Sequence, residues 1–127
     1  LVCDVSQRAD AANALRLLTA QRAGGVLHAG GVIRDALLRN MRASQVATIF
    51  ASKAVGAQHL HELMPHRGHA PLILFSSVTS PLRNIGQANH AAANAYLDAL
   101  SLWRRAHAMA ACTMQMPLVA SAGMDAA

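Results

Sequence analysis

The sequence predicts an α/β fold built on a parallel sheet, and three observations lead there. Short apolar stretches alternate with helix-like stretches along all 127 residues, the pattern of right-handed βαβ units. One apolar stretch, Leu72-Ile73-Leu74-Phe75, is continuous and bounded by Pro71 and Ser76-Ser77, which suits a strand buried on both faces. The segment from Ala88 through Ala106 is rich in Ala and Leu, contains no Pro or Gly, and reads as a long helix.

Taken in order, Leu1 to Val5 reads as the end of a strand. Ser6 to Ala20 reads as a helix, with Ser6 as N-cap and Ala11, Ala14, Leu15 and Leu18 on one side. Gly25-Val26-Leu27-His28 is a short strand running into Ala29-Gly30-Gly31. A helix-rich segment follows from Asp35 to Leu63, broken near Arg42 to Ser44. A loop of His, Gly and Pro leads to the strand at Leu72, and a second loop with Pro81, Asn84 and Gly86 leads to the long helix, which ends around His107. Cys112 to Met116 is the last strand, before a tail of small residues. No internal repeat and no linker interrupts the chain.

Length and composition bound the rest. The chain makes one small domain at most, and its 54% hydrophobic residues can build a core with little aromatic bulk. It opens on Leu1 rather than Met, with no basic stretch followed by an apolar one, and so reads as a fragment without a leader. No apolar run approaches the roughly 18 residues of a membrane span, so a soluble, cytoplasmic protein is expected. Cys3 and Cys112, far apart and each in a strand-like segment, are expected to be buried free thiols in a reducing compartment. The net charge of +5 comes from scattered arginines, with only Arg104-Arg105 adjacent, and aromatic residues are too few for a base-stacking surface. A solvated helix face explains the charge without nucleic acid; the sharper alternative is an acidic carrier protein docking on it.

Candidate chemistry gathers after the strand at Leu72. The carboxyl ends of strands in open α/β sheets face the crevice where ligands bind, which makes Ser77 a candidate substrate contact. His90 and Asn94 are four residues apart and share one face of the long helix. Each has a plainer reading: Ser77 can satisfy a strand end, Asn94 can bond nearby backbone, and Lys53, the sole lysine, can be a solvated helix residue. His59, His61, His66 and His69 cluster in sequence, but His59 and His61 are two apart on a helix and diverge, and no paired cysteine or carboxylate completes a metal shell. Ser77, His90 and Asp98 suggest a hydrolase triad, without the G-x-S-x-G elbow that such a serine needs.

Four stretches together carry a resemblance: HAGGVIRDALL from His28 to Leu38, SKAVGAQHLHEL from Ser52 to Leu63, LFSS from Leu74, and GQAN followed by AAANAYLDAL up to Leu100. In this order and spacing, nearly the whole chain resembles the ketoreductase domain of modular polyketide synthases and related fatty acid synthases, which are similar to short-chain dehydrogenases. The resemblance implies a three-layer Rossmann-like parallel sheet with flanking helices, here partial, with residues 1–127 as one partial domain. It implies NADPH as cofactor and reduction of a β-ketoacyl thioester, held on an acyl carrier protein among other synthase domains, to the β-hydroxyacyl form. Neither nucleic acid nor membrane is a partner in that reading. By position, the resemblance makes Lys53 the family lysine, Ser77 the serine that hydrogen-bonds the substrate carbonyl, and Asn94 the asparagine that completes the group. Asp4 matches the acid that contacts adenine, and Ala29-Gly30 the small-residue turn beside the cofactor. Asp35 holds the final aspartate of the stereochemical fingerprint, after Arg34, and Asn89 is grouped with it as a substrate and stereochemistry residue. The tryptophan of the opposite stereochemical class is not found before His90.

Three departures qualify what the resemblance implies. His90 stands where the family has its catalytic tyrosine, thirteen positions after Ser77. An imidazole is shorter than a phenol, and a protonated ring beside Lys53 and a cationic nicotinamide meets like-charge repulsion, so ketone reduction is expected to be weak or absent. Met116-Pro117-Leu118-Val119 replaces a Trp-Gly-Pro-Trp-like run, although Gly123-Met124 follows as in the family. No G-x-G-x-x-G turn, which would hold a pyrophosphate, occurs in these residues. In the strand order 3-2-1-4-5-6 the chain would start at strand three and skip to strand four. That predicts a marginal isolated chain, with Leu1 to Val5 unpaired and an apolar sheet edge exposed. A non-catalytic structural remnant of a ketoreductase domain is the alternative function.

Overall fold

The computed structural model describes residues 3–64, 70–82 and 84–117. Helix α1 (Arg8–Ala20) leads to strand β1 (Val26–His28). From β1 the chain passes through a 3₁₀ turn (Leu38–Asn40), helix α2 (Ala43–Phe50), a π-helical turn (Ala51–Val55) and helix α3 (Gly56–Leu63) to strand β2 (Leu72–Ser77). One helical turn, α4 (Thr79–Leu82), and the long helix α5 (Ala88–Ala106) then lead to strand β3 (Ala111–Met116). The strands form one parallel sheet in the order β1-β2-β3. Leu27, Ile73 and Cys112 lie side by side in its register, as do Phe75 and Met114. This is the parallel α/β sheet expected from the alternation of strands and helices, and the partial Rossmann-like architecture that the resemblance implies.

Along β2 the burial alternates. Leu72, Leu74 and Ser76 are buried, whereas Ile73, Phe75 and Ser77 are half-buried. Leu72 and Leu74 belong to a core completed by Leu15 from α1, Ala57 and Leu60 from α3, Met64, and Leu97 and Leu100 from α5. Among the described residues the helical layer therefore covers one face of the sheet. The other face carries Leu27, Met114 and Met116, which are 63%, 44% and 38% exposed. The expectation that β2 is buried on both faces is corrected: its apolar run suits two covers, and one is present among the described residues.

Local hydrogen bonds explain the other differences. Leu1 and Val2 lie outside the described residues, and Cys3 and Asp4 join no strand. Ser6 is not the N-cap of α1. The Asp4 carboxylate accepts the Ser6 amide at 3.0 Å and the Asp4 carbonyl accepts the Gln7 amide at 2.9 Å, so a turn delays the helix to Arg8 behind Gln7. The expected helix from Asp35 begins only at Ala43. The Ala36 amide donates to the Gly86 carbonyl at 2.9 Å and Asn89 Nδ2 donates to the Arg34 carbonyl at 3.0 Å, so this backbone pairs with the start of α5 instead of with itself. Both cysteines are free, but Cys3 is half-buried and Cys112 is exposed on the uncovered face, so neither is the buried thiol expected. No helix among the described residues is long and apolar enough to cross a membrane.

Candidate functional site

Lys53 sits on the π-helical turn between α2 and α3, and such single widened turns recur at functional sites. The Gly56 amide reaches the carbonyls of both Ala51 and Lys53 across that turn. The Lys53 side chain is buried, and its ammonium donates to the Phe75 carbonyl of β2 at 3.1 Å. Burial pushes its pKa below the ordinary lysine value of 10.5. Among the described residues no carboxylate pairs with it. The solvated-helix reading of Lys53 is thereby removed.

Two residues beyond Phe75, Ser77 ends β2 with its hydroxyl oxygen accepting from the Thr79 amide at 3.2 Å and from the Thr79 hydroxyl at 3.0 Å. Ser76 points the opposite way, and its hydroxyl donates to the Asn94 carbonyl at 3.3 Å. Asn94 is fully buried. Its Nδ2 donates to the His90 carbonyl at 2.9 Å, and its Oδ1 has no hydrogen-bond partner among the described residues. His90, also buried, lies in the first turn of α5, where its amide donates to Asn89 Oδ1 at 2.8 Å. Lys53, the carboxyl end of β2 and the His90–Asn94 face of α5 thus meet at one end of the sheet.

The residues assigned to substrate orientation flank this centre. Gln87 Nε2 donates to the Asp35 carboxylate at 2.9 Å, and the Asn89 side chain holds the Arg34 carbonyl. Gly86, with φ +83°, adopts a left-handed conformation that favours glycine and lets its carbonyl meet the Ala36 amide. On the other side, Ala29 and Gly30 follow β1. Asp4 is exposed, and its bonds to Ser6 hold its carboxyl below the usual range.

Other sequence candidates resolve differently. Asp98 bonds Gln115 of β3 at 3.0 Å rather than His90, so the Ser77, His90 and Asp98 spacing forms no triad relay. His59 Nδ1 bonds the Val5 carbonyl at 3.0 Å, while His61 Nδ1 accepts from Arg104 Nη1 at 2.9 Å; His66 and His69 lie outside the described residues. Among the described residues no three His, Cys, Asp or Glu side chains are placed to hold a metal ion. Arg104, read from sequence as part of a solvated face, is fully buried beside His61, and its burial depresses its pKa. Sequence reasoning missed Ser76 and His28. The buried His28 ring bonds the Lys53 carbonyl at 3.1 Å, a contact no local pattern announces.

Comparison with known proteins agrees with this geometry. A family model described as the KR domain matches residues 1–121. The spectinabilin polyketide synthase system protein NorB of Streptomyces orinoci is 41% identical over 128 residues, which cover 100% of this chain and 6% of that protein. Polyketide synthase GfsA of Streptomyces halstedii is 40% identical over 97% of this chain and 2% of its own length. Among solved structures, the first ketoreductase of the tylosin PKS superposes with a TM-score of 0.79 at 35% identity, covering 97% of this chain and 28% of that one. PlmKR1, the ketoreductase from the first module of phoslactomycin biosynthesis in Streptomyces sp. HK803, gives 0.82 at 36% identity over 91% of this chain and 27% of its own. The chain therefore spans a small part of the synthases it matches and between a quarter and a third of these ketoreductase structures. With its parallel sheet, its buried Lys53 beside the end of β2, and these relatives, the chain belongs to the ketoreductase (KR) domain family of polyketide synthases.

Proposed function

We propose that residues 1–127 form part of an NADPH-dependent ketoreductase domain that reduces a β-ketoacyl thioester to its β-hydroxyacyl form. The thioester is presented by an acyl carrier protein, and the other domains of a cytoplasmic synthase are the remaining partners. The observation that carries this reading is the buried Lys53 ammonium on the Phe75 carbonyl, two residues before Ser77 and next to Ser76, whose hydroxyl bonds the Asn94 carbonyl. The donor set fits the nicotinamide end of the cofactor and a carbonyl: a desolvated cation, a hydroxyl at a strand end, and a buried amide oxygen in want of a donor.

When bound, the cofactor supplies hydride to the carbonyl carbon. Ser77 orients the carbonyl by donating to its oxygen while it still accepts from Thr79, since both Thr79 bonds fall on the Ser77 oxygen and leave its proton unused. Lys53 sets a positive potential at that place, undiluted by a carboxylate among the described residues. His90 offers an imidazole N–H where a proton must reach the developing alkoxide. Ala29 and Gly30 border the cofactor on the β1 side, Asp4 the adenine, and Asp35 and Asn89 steer the face of the ketone that is presented.

A second reading is favoured by His90 itself. An imidazole is shorter than the phenol that the family carries at this place, and proton delivery tolerates little misplacement. On that reading the domain is a structural remnant. The full chain, given NADPH and a β-ketoacyl thioester, decides between the two: steady NADPH consumption by the native protein supports the reductase. Activity that appears only in His90→Tyr, or not at all, supports the remnant.

A further inference from the structure

We infer that His28 is a positioning residue that locks the backbone of Lys53 to the Ala29-Gly30 turn, so that the cofactor side of the site and its cation are held as one unit. The inference rests on the ketoreductase reading for its meaning but on the geometry of the π-helical turn for its support. In that turn the Lys53 carbonyl accepts the Gly56 amide and also faces His28 Nε2 at 3.1 Å, a partner from outside the helix. A carbonyl acceptor there requires Nε2–H to donate, which fixes the tautomer and leaves Nδ1 without a proton when the ring is neutral. Burial is the main reason the ring favours that neutral form, and the nearby Lys53 charge acts in the same direction.

Two glycines mark how tightly the ring is seated. A Cβ at Gly30 would lie 3.1 Å from His28 Cε1 and 3.2 Å from the Ser52 carbonyl. A Cβ at Gly56 would lie 3.3 Å from the same Cε1 and 2.7 Å from Val5 Cγ2. The imidazole is thus wedged between the turn after β1 and the first residue of α3, with the π-helical turn bonded to its far nitrogen. Because the Lys53 side chain leaves from the residue whose carbonyl is held, displacement of that carbonyl moves the ammonium relative to Phe75. His28 touches neither substrate nor cofactor in this account and acts through Lys53.

The test uses the full chain with ¹⁵N-labelled lysine. Lys53 is the sole lysine of these 127 residues, and a Lys53→Arg sample assigns its signal against lysines elsewhere. His28→Gln keeps an N–H near the place of Nε2, whereas His28→Leu keeps bulk and removes the donor. The expected result is a Lys53 titration midpoint that rises toward the ordinary value of 10.5 in His28→Leu and stays at the native position in His28→Gln. If His28→Leu does not fold, His28→Asn, whose amide is too short to reach the Lys53 carbonyl, is read in its place. A midpoint unchanged in the donor-less variant overturns the inference, and so does a midpoint displaced equally by His28→Gln. With NADPH and a β-ketoacyl thioester, the donor-less variant is also expected to lose about 10- to 100-fold in kcat with KM unchanged, and His28→Gln to recover most of it. The resonance readout needs no turnover, so a protein that reduces nothing refutes the reductase reading and leaves the positioning of Lys53 decided by its titration.

Discussion

The two faces of β2 differ more than their sequence suggests. On one face Leu72, Leu74 and Ser76 are buried under α3 and α5, with Leu15 of α1 completing the cluster. On the other face Ile73, Phe75 and Ser77 are half-buried, beside Met114 and Met116 of β3, which stand partly exposed. Chemically the two triplets are nearly the same, two large apolar residues followed by a serine. What separates them is the layer that packs on each, and with it the bonds each serine makes: Ser76 is spent on the backbone of α5, and Ser77 accepts from Thr79 at the end of the strand.

The largest effect is expected on the covered face, where Leu74→Ala or Leu97→Ala should cost about 2–5 kcal/mol in denaturant unfolding, since both side chains are fully buried. Next comes the division between the serines. Ser77→Ala should lower kcat by about 100-fold under the proposed chemistry while changing stability little, which steady-state kinetics and a melt together would measure. Ser76→Ala should do the reverse, costing about 1 kcal/mol for the lost bond to Asn94 with turnover retained. Equal effects of the two on turnover would erase the distinction.

A pH dependence follows from the same covered layer. His28 has its pKa pushed below 6.5 by burial, so below that pH the unfolded chain takes up a proton that the folded chain refuses. Stability contributed by this group is therefore present above pH 6.5 and declines as the pH falls through the window beneath it; the urea midpoint should drop on acidification, less so in His28→Gln. The smallest effect is expected on the uncovered face. Met114→Thr should change stability by no more than about 0.5 kcal/mol, and a cost in the full chain as large as that of Leu74→Ala would mean that this face is covered there.

Much of this was legible in the chain. The apolar run at Leu72, the cadence of strands and helices, and the Ala-rich stretch from Ala88 determined the parallel sheet and its long helix, because burial and helix propensity act locally and leave periodic marks. The ketoreductase-like motifs marked Lys53, Ser77, His90 and Asn94 before any coordinate did, and the substitution at residue 90 is visible in the sequence alone. Where local signals met a distant partner, they failed. Asp35 to Arg42 looked like a helix and holds only the 3₁₀ turn Leu38–Asn40, because Gly86 and Asn89 take the backbone bonds at its start; Ser6 looked like a cap, and a turn closed by Asp4 moves that place to Gln7. Arg104 looked solvated and is buried beside His61.

The sequence by itself determined the family, the order of the elements and the side chains available for chemistry. Packing alone put the Lys53 ammonium, desolvated, on a strand carbonyl and set His28 behind it. Those features depend on groups 22 and 25 residues apart, and such contacts exist only once packing has brought their elements together.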